Sequence, residues 1–205
     1  GLAQSSGTLT INNSTIKNND SGNNGQGGGI YIADGTVSLF NCTVQNNSTG
    51  GNNAGAIMVD GSSILNLTNC TVIQNYSANN TGFSSGGVFY GFNAILNMRN
   101  TILANNNSVG VPNGDLNSFA ASYVGINDQN IVMECAGAFC PGFASTTDPL
   151  LSGVSLCGIQ DIYRPSTGSF AIDVGSVSGT AADICGSAWV NQVDIGNVES
   201  SIPGS

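Results

Sequence analysis

The residues best suited to chemistry in this chain are its carboxylates, because it has 12 acidic residues, three basic residues and no histidine. Asp34 and Asp60 each precede a glycine and lie 26 residues apart, so a repeating fold would place them near one corner. Paired carboxylates can hydrolyse glycosidic bonds, but an Asp-Gly pair is also a common turn, which we favour here. Lyase chemistry needs a basic proton acceptor, and only Lys17, Arg99 and Arg164 are basic. We therefore predict that the chain is not an enzyme.

A second group of carboxylates lies near the end of the chain and consists of Asp173, Asp183, Asp194 and Glu199. Hard oxygen ligands concentrated in this way make calcium the one cofactor to consider. Asp173 and Asp194 each stand two residues before a glycine, which is also the pattern of a turn closing the end of a repeating fold. We favour the turn, and the four carboxylates stay candidate calcium ligands.

The six cysteines form an even set without metal-ligand spacing or histidine, which favours disulfides over zinc. Disulfides persist outside the cytosol, so the count favours an extracellular or cell-surface location. A bond from Cys135 to Cys140 would close a small loop and leave Cys157 to pair with Cys185. Six cysteines allow 15 connectivities, so this pairing is one hypothesis among several.

Cys42 and Cys70 occupy equivalent positions of the repeat described below. Equivalent residues of stacked strands lie ~4.8 Å apart, which is inside the usual range of Cα separations for a disulfide. These two cysteines either bridge neighbouring coils or stack as buried thiols, and both alternatives stay open at this point.

Asparagine sequons are abundant, and three of them fall in expected loops at Asn47, Asn79 and Asn106. In a secreted protein these three are the candidate glycosylation sites. The alternative is that a sequence rich in Asn, Ser and Thr produces sequons by chance.

Four similar segments begin at Asn13, Asn41, Asn69 and Asn100, and these positions are 28, 28 and 31 residues apart. A glycine-rich landmark recurs between them, and each landmark leads into a short β-prone run such as residues 30–32. Asn and Gly readily adopt the positive φ that sharp corners require. A repeat this short buries its apolar residues only by stacking on its neighbours, which predicts a solenoid of parallel strands.

Stacking makes two predictions about columns of side chains. One aliphatic column should contain Ile16, Val44, Val72 and either Ile102 or Leu103. A turn should carry an asparagine ladder through Asn18, Asn46 and Asn75, or through their neighbours.

The predicted fold is therefore all-β, a right-handed parallel β-helix, with the handedness taken from the crossover rule. We predict one domain over residues 1–205, with regular coils of about 28 residues over 8–110. Irregular closing coils that contain disulfides should continue the same stack over about 111–199, followed by a short tail at 200–205. About seven coils at ~4.8 Å each would form a rod roughly 34 Å long.

The repeats, with their N-C-T-V-x-x-N and G-G-x-I segments, resemble those of bacterial surface β-helices of the polymorphic outer-membrane and choice-of-anchor Q families. The later part of the chain is similar to the anchor-Q pattern in four segments, which are residues 114–127, 148–151 (D-P-L-L), 169–175 and 193–199. Two positions depart from that pattern: Phe170 stands in place of proline and Asn197 in place of alanine. The resemblance implies extracellular display on a repetitive scaffold and does not imply one biochemical activity.

The net charge of −9 excludes a nucleic-acid partner and disfavours an anionic membrane surface, and the apolar runs are too short to span a bilayer. We predict a structural or adhesive surface module, with end-to-end assembly into filaments as a variant and self-association or a surface glycan as the partner. The alternative is a carbohydrate-binding or polysaccharide-degrading protein, with Tyr31, Tyr90 and Phe92 as candidate aromatic platforms.

Overall fold

The computed structural model describes residues 1–51, 53–80, 84–109, 114–118, 123–137, 140, 142–143, 145–176, 185 and 194–196. The elements in these residues are β-strands, and they fall into five successive coils and a later hairpin. Coil 1 contains β1 (Leu2–Gln4), β2 (Thr8–Asn12) and β3 (Thr15–Lys17). Coil 2 contains β4 (Ile30–Ile32), β5 (Thr36–Phe40), β6 (Thr43–Gln45) and β7 (Ser48–Thr49). Coil 3 contains β8 (Ile57–Val59), β9 (Ile64–Thr68), β10 (Thr71–Ile73) and β11 (Tyr76–Ser77).

Coil 4 repeats this pattern with β12 (Val88–Tyr90), β13 (Ile95–Arg99), β14 (Ile102–Ala104) and β15 (Asn107–Ser108). Coil 5 contains β16 (Leu116–Ser118), β17 (Tyr123–Asp128) and β18 (Ile131–Val132), and β19 (Cys135–Gly137) follows it. The hairpin consists of β20 (Ser155–Cys157) and β21 (Gln160–Ile162), which are antiparallel.

Equivalent strands of successive coils pair in parallel and form four sheets. Sheet A has the order β1-β4-β8-β12-β16-β19, sheet B the order β2-β5-β9-β13-β17, sheet C the order β3-β6-β10-β14-β18, and sheet D the order β7-β11-β15. This arrangement is a parallel β-solenoid and confirms the predicted fold class. The right-handed sense of the coil stays the prediction that the crossover rule makes.

The predicted aliphatic column is confirmed, and its open alternative is resolved. Ile16 pairs with Val44, Val44 with Val72, and Val72 with Leu103, so Leu103 belongs to the column. These side chains point into one continuous core, while their neighbour Ile102 points to the outside of sheet C and packs in a separate cluster. A slip of one residue would exchange the two faces, so burial of this column sets the register of the coils.

The prediction of about seven coils is wrong. Sheets B and C each contain five strands, which are joined by four turns of the coil, or ~19 Å along the axis. The expected closing coils are absent from residues 148–176, which form a C-terminal arm that contains the antiparallel hairpin and packs against the outside of sheet C. The arm lacks the repeat, so it has no set of equivalent strands to offer to the next coil.

Asparagine occupies the corner between sheets B and C in every regular coil. Asn13, Asn41, Asn69 and Asn100 all have positive φ between 47° and 51°. Each of the later three donates its Nδ2 hydrogen to Oδ1 of the preceding one over 3.1–3.2 Å. The repeat therefore begins with asparagine because the residue both turns the backbone and ties the corner to its neighbour.

The glycine landmark lies where two sides of the coil approach closely. A Cβ on Gly28 would overlap the carbonyl oxygen of Ser48, and one on Gly86 would overlap the backbone nitrogen of Asn107. These contacts are with backbone atoms, which cannot rotate away. Glycine is therefore required two residues before β4 and before β12 by packing against the adjoining part of the coil.

Candidate functional site

The outer face of sheet A is covered by loops of the same chain. Met58 and Phe89 point outwards from adjacent strands, yet both are buried in a small cluster with Ala54. In the next strand, Asn117 donates its Nδ2 hydrogen to the carbonyl oxygen of Ser84 over 2.9 Å. This face is therefore part of the protein interior in coils 3 to 5.

The outer face of sheet C is covered by the C-terminal arm. The carboxylate of Asp161 accepts hydrogen bonds from Lys17 Nζ at 2.9 and 3.0 Å, and also from Gln45. Farther along, Tyr163 donates its hydroxyl hydrogen to Gln74 Oε1 over 2.9 Å. The short segment 194–196 reaches coil 4, where Ile195 packs in the cluster of Ile102. The arm and this segment thus contact four successive coils.

The outer face of sheet B carries a row of hydrogen-bonded polar side chains that crosses the coils. Asn97 donates its Nδ2 hydrogen to Asn66 Oδ1 over 2.8 Å, and Asn66 donates in turn to Ser38 Oγ over 2.9 Å. The backbone nitrogen of Ile126 completes the row by donating to Asn97 Oδ1 over 2.8 Å. The outward residues of β5, β9 and β13 remain partly exposed. Of the three long faces in the described part of the chain, this one is accessible to a ligand along several coils.

A groove of about 220 Å³ lies beside this row. Phe40, Thr68 and Arg99 stand at the same position of three successive strands, and the small Thr68 leaves space between its two larger neighbours. The Arg99 Nε atom lies 3.1 Å from Asp128 Oδ2, with side chains 40% and 39% exposed. The groove therefore has an apolar end, a charged end and a polar floor.

A β-bulge shapes the far wall of the groove. Leu96 pairs with Val124 but Met98 pairs with Asn127, so two residues of β17 stand opposite the single Asn97. One of the two is Ile126, which is 48% exposed and lines the groove. Bulges redirect side chains and are frequent beside binding sites.

A larger cleft of about 600 Å³ lies where the arm leaves sheet C. Its lining includes Leu150, Val154 and Tyr163 from the arm and Gln74 from coil 3. Tyr163 and Gln74 are already bonded to each other, and the cleft is the gap left beside that contact. We favour the smaller groove as the candidate binding site because hydrogen-bond donors from three coils line it.

The expected Asp-Gly turns are confirmed. Asp34 Oδ1 accepts a hydrogen bond from the backbone nitrogen of Gly35 over 2.7 Å, and Asp60 Oδ1 accepts one from Gly61 over 2.8 Å. Both glycines have positive φ. The two carboxylates serve the corner between sheets A and B.

Of the four candidate calcium ligands, the structure describes two, Asp173 and Asp194. Asp194 is buried, and its Oδ1 accepts a hydrogen bond from the backbone nitrogen of Asp173 over 2.7 Å. Asp183 and Glu199 lie outside the described residues. Within the described ranges no cluster of three or more metal-ligating side chains occurs.

Both proposed disulfides are present, between Cys135 and Cys140 and between Cys157 and Cys185. Cys42 and Cys70 are instead stacked, buried thiols, which resolves the alternative that the sequence left open. A hydrogen bond with Cys70 lowers the pKa of the Cys42 thiol, while burial raises the pKa of Cys70 well above its ordinary value.

The three candidate glycosylation sites lie outside the strands, as predicted, but their side chains are buried. Asn47, Asn79 and Asn106 are 0%, 8% and 4% exposed. Their Nδ2 atoms, to which a glycan would be joined, donate hydrogen bonds to Asn75, Asn53 and Asp115 respectively. The folded coil therefore leaves no room for a glycan at these three positions.

Two of these asparagines belong to the ladder that the repeat predicts. Its members are Asn19, Asn47, Asn75 and Asn106, each of which directly follows a residue with positive φ. Each member donates a hydrogen bond through Nδ2 to the next side chain over 2.7–2.9 Å. The last acceptor is the buried carboxylate of Asp115, whose pKa is raised by burial to about 6. Sequence reasoning missed Asp115 because it lies outside the repeat.

The candidate aromatic platforms are not brought together. Tyr90 is buried in the core, whereas Phe92 is exposed at a corner and Tyr31 is half-buried on sheet A. Sequence reasoning missed Phe40 and Arg99, although both directly precede the corner asparagine of their repeats. Aligning the outward positions as well as the inward ones would have shown this pair.

Comparisons of the chain with protein-family models, with curated proteins and with solved structures find no match. The resemblance to bacterial surface β-helices therefore stays a prediction. Among the described residues, no helix has the length and apolar character needed to cross a membrane.

Proposed function

We propose that this chain is a non-enzymatic adhesive module of the extracellular space or cell surface, and that it binds its target through the outer face of sheet B. The observation that carries the proposal is that the three long faces differ in how far they are covered. Those of sheets A and C are covered by the chain's own loops and arm, whereas sheet B presents the row from Ser38 to Asn97. The first two faces serve folding and the third is available for binding.

Two further observations support this function. The two disulfides favour an oxidising location. A stack of paired strands is also a rigid support, because backbone pairing fixes Ser38 and Asn66 to both neighbouring strands and Asn97 to β9. A rigid, repetitive face suits attachment to a repetitive target.

Binding of the purified chain to intact cells and extracellular material tests the proposed face. Asn66→Arg places a large side chain in the middle of the row and should abolish binding. Asn107→Arg, at an exposed position of β15, is the matched control and should bind as the unmodified chain does. Equal binding by the two variants would contradict adhesion through sheet B.

The proposed location has a separate test. An antibody raised against the folded chain should label intact cells that produce it. Labelling that requires permeabilisation of those cells would contradict an extracellular or surface location.

End-to-end assembly is a second candidate because β1, β2 and β3 are edge strands of sheets A, B and C. Unpaired strand edges can pair with another copy of the same protein. Sedimentation at increasing concentration should then show growing particles, and a strict monomer throughout would contradict filament formation.

A further inference from the structure

We propose that the groove between Phe40 and Arg99 binds one ring of a neutral polysaccharide chain lying across the coils, parallel to the solenoid axis. The inference rests on the proposed adhesive face and specifies the chemistry of its ligand. Its starting point is that the groove combines an apolar surface, amide donors and the guanidinium of Arg99, and that the carboxylate of Asp128 lies next to this guanidinium. A sugar ring has both apolar C–H faces and a rim of hydroxyl groups, and this combination matches it.

The floor of the groove supplies directed hydrogen bonds. Asn66 and Asn97 each use one Nδ2 hydrogen within the row, toward Ser38 and Asn66 respectively. A carboxamide nitrogen carries two hydrogens, so each residue has a second one to donate to a sugar oxygen. The row also holds the two amides in fixed orientation before a ligand arrives, which reduces the entropy lost on binding.

The charged end of the groove supplies a donor and an acceptor side by side. Arg99 contacts Asp128 through its Nε atom, and the two side chains remain partly exposed. The terminal guanidinium nitrogens can donate to one hydroxyl of a sugar while the carboxylate accepts from the adjacent one. At the other end, Phe40 offers an apolar surface to the C–H groups of the ring.

The axial spacing indicates a chain rather than a single sugar. Ser38, Asn66 and Asn97 stand on three successive strands, so equivalent donors repeat every ~4.8 Å along the axis. This interval is close to the length of one residue in an extended polysaccharide, so neighbouring sugars can make similar contacts. The net charge of −9 repels a polyanion, which favours a neutral polymer.

Affinity electrophoresis in native gels tests this inference, with soluble xylan, glucomannan and cellulose oligosaccharides as neutral probes and polygalacturonate as the anionic one. We expect a neutral probe to retard the unmodified chain. Phe40→Ala and Asn97→Ala should each weaken that binding about tenfold, the loss expected for one or two contacts to neutral groups. Thr8→Ala, at an exposed position of β2 outside the groove, is the matched control and should bind normally.

The variants must remain folded for these results to count, so near-ultraviolet circular dichroism and thermal unfolding accompany each of them. Retardation by polygalacturonate alone, or equal retardation of Phe40→Ala and the unmodified chain, would overturn the inference. Periodate treatment of the cell-surface target distinguishes a failure of this inference from a failure of the proposed adhesive function. Adhesion that survives destruction of the glycans, yet is lost in Asn66→Arg, rejects the carbohydrate ligand and keeps the adhesive face.

Discussion

Asn106 donates its Nδ2 hydrogen to Oδ1 of Asp115 over 2.7 Å, and this bond ends a row of asparagines with a carboxylate, which only accepts hydrogen bonds while it is ionised. The backbone nitrogen of Asn106 donates to the same oxygen over 2.9 Å, and that of Glu134 donates to the other oxygen over 3.2 Å. Every bond between two side chains of the row is donated toward the later coil. The carboxylate therefore fixes the direction of the whole ladder.

Burial of Asp115 makes the stability of the coil depend on pH. Its pKa rises from an ordinary 3.8 to about 6, because burial disfavours the charge more than the Asn106 donors favour it. A carboxyl with a raised folded-state pKa binds more protons when folded, so its contribution to stability is full below about pH 4. It is lost as the pH rises to about 6, by about 3 kcal/mol at most.

Asp115→Asn isolates this contribution, because other carboxylates also change the stability of the chain with pH. Between pH 4 and pH 7, the unmodified chain should lose up to about 3 kcal/mol of unfolding free energy relative to the variant. Urea unfolding at each pH measures the difference. Parallel pH profiles for the two proteins would contradict the role given to Asp115.

The middle of the ladder should be more sensitive to substitution than the exposed surface beside it. Asn75 Oδ1 accepts from both the backbone nitrogen and Nδ2 of Asn47. The two hydrogens of Asn75 Nδ2 are shared among three acceptors, namely Val44 O, Ile73 O and Asn106 Oδ1. Asn75→Ala leaves these buried groups unpaired and should lower the unfolding free energy by about 2–4 kcal/mol. Asn107→Ala, at an exposed position, should change it by less than about 0.5 kcal/mol. Similar denaturation midpoints for the two variants would count against the ladder.

Docking of the arm depends on Asp161, which is held by Lys17 and Gln45 on the first two strands of sheet C. Asp161→Ala removes this acceptor and should release the arm from coils 1 and 2. Hydrogen exchange should then accelerate in β3 and β6, whose outer face becomes exposed to solvent, and remain unchanged in β9. Uniform acceleration in all strands would instead indicate global destabilisation.

The solenoid could be predicted from the sequence because its interactions repeat at a fixed spacing. Residues such as Val44 and Val72 lie 28 apart and pair in the structure, so aligning the repeat is equivalent to aligning the strands. The corner asparagines follow from the same repeat. The two disulfides lie outside it, and their pairing was one hypothesis among the 15 connectivities that six cysteines allow. The burial of Asn47 and Asn106 could not be predicted, because a buried asparagine and an exposed one look the same in the sequence of the repeat.

The reversal of the chain in the arm could not be predicted in this way. Lys17 and Asp161 are 144 residues apart, and neither belongs to a pattern that identifies the other. The groove on sheet B could not be predicted for a related reason. Phe40 and Arg99 differ in type, so their shared position becomes visible only when the outward face is considered by itself.

The close approach at Gly86 leads to a final prediction about the glycine landmark. A Cβ at this position would overlap backbone atoms of Asn107, whereas a Cβ on Gly142 would meet nothing within 4 Å. Gly86→Ala should therefore force the two sides of coil 4 apart and cost about 2–3 kcal/mol, measured by urea unfolding. Gly142→Ala is the matched control and should leave the midpoint nearly unchanged. Equal midpoints would mean that the landmark serves chain flexibility instead of close packing.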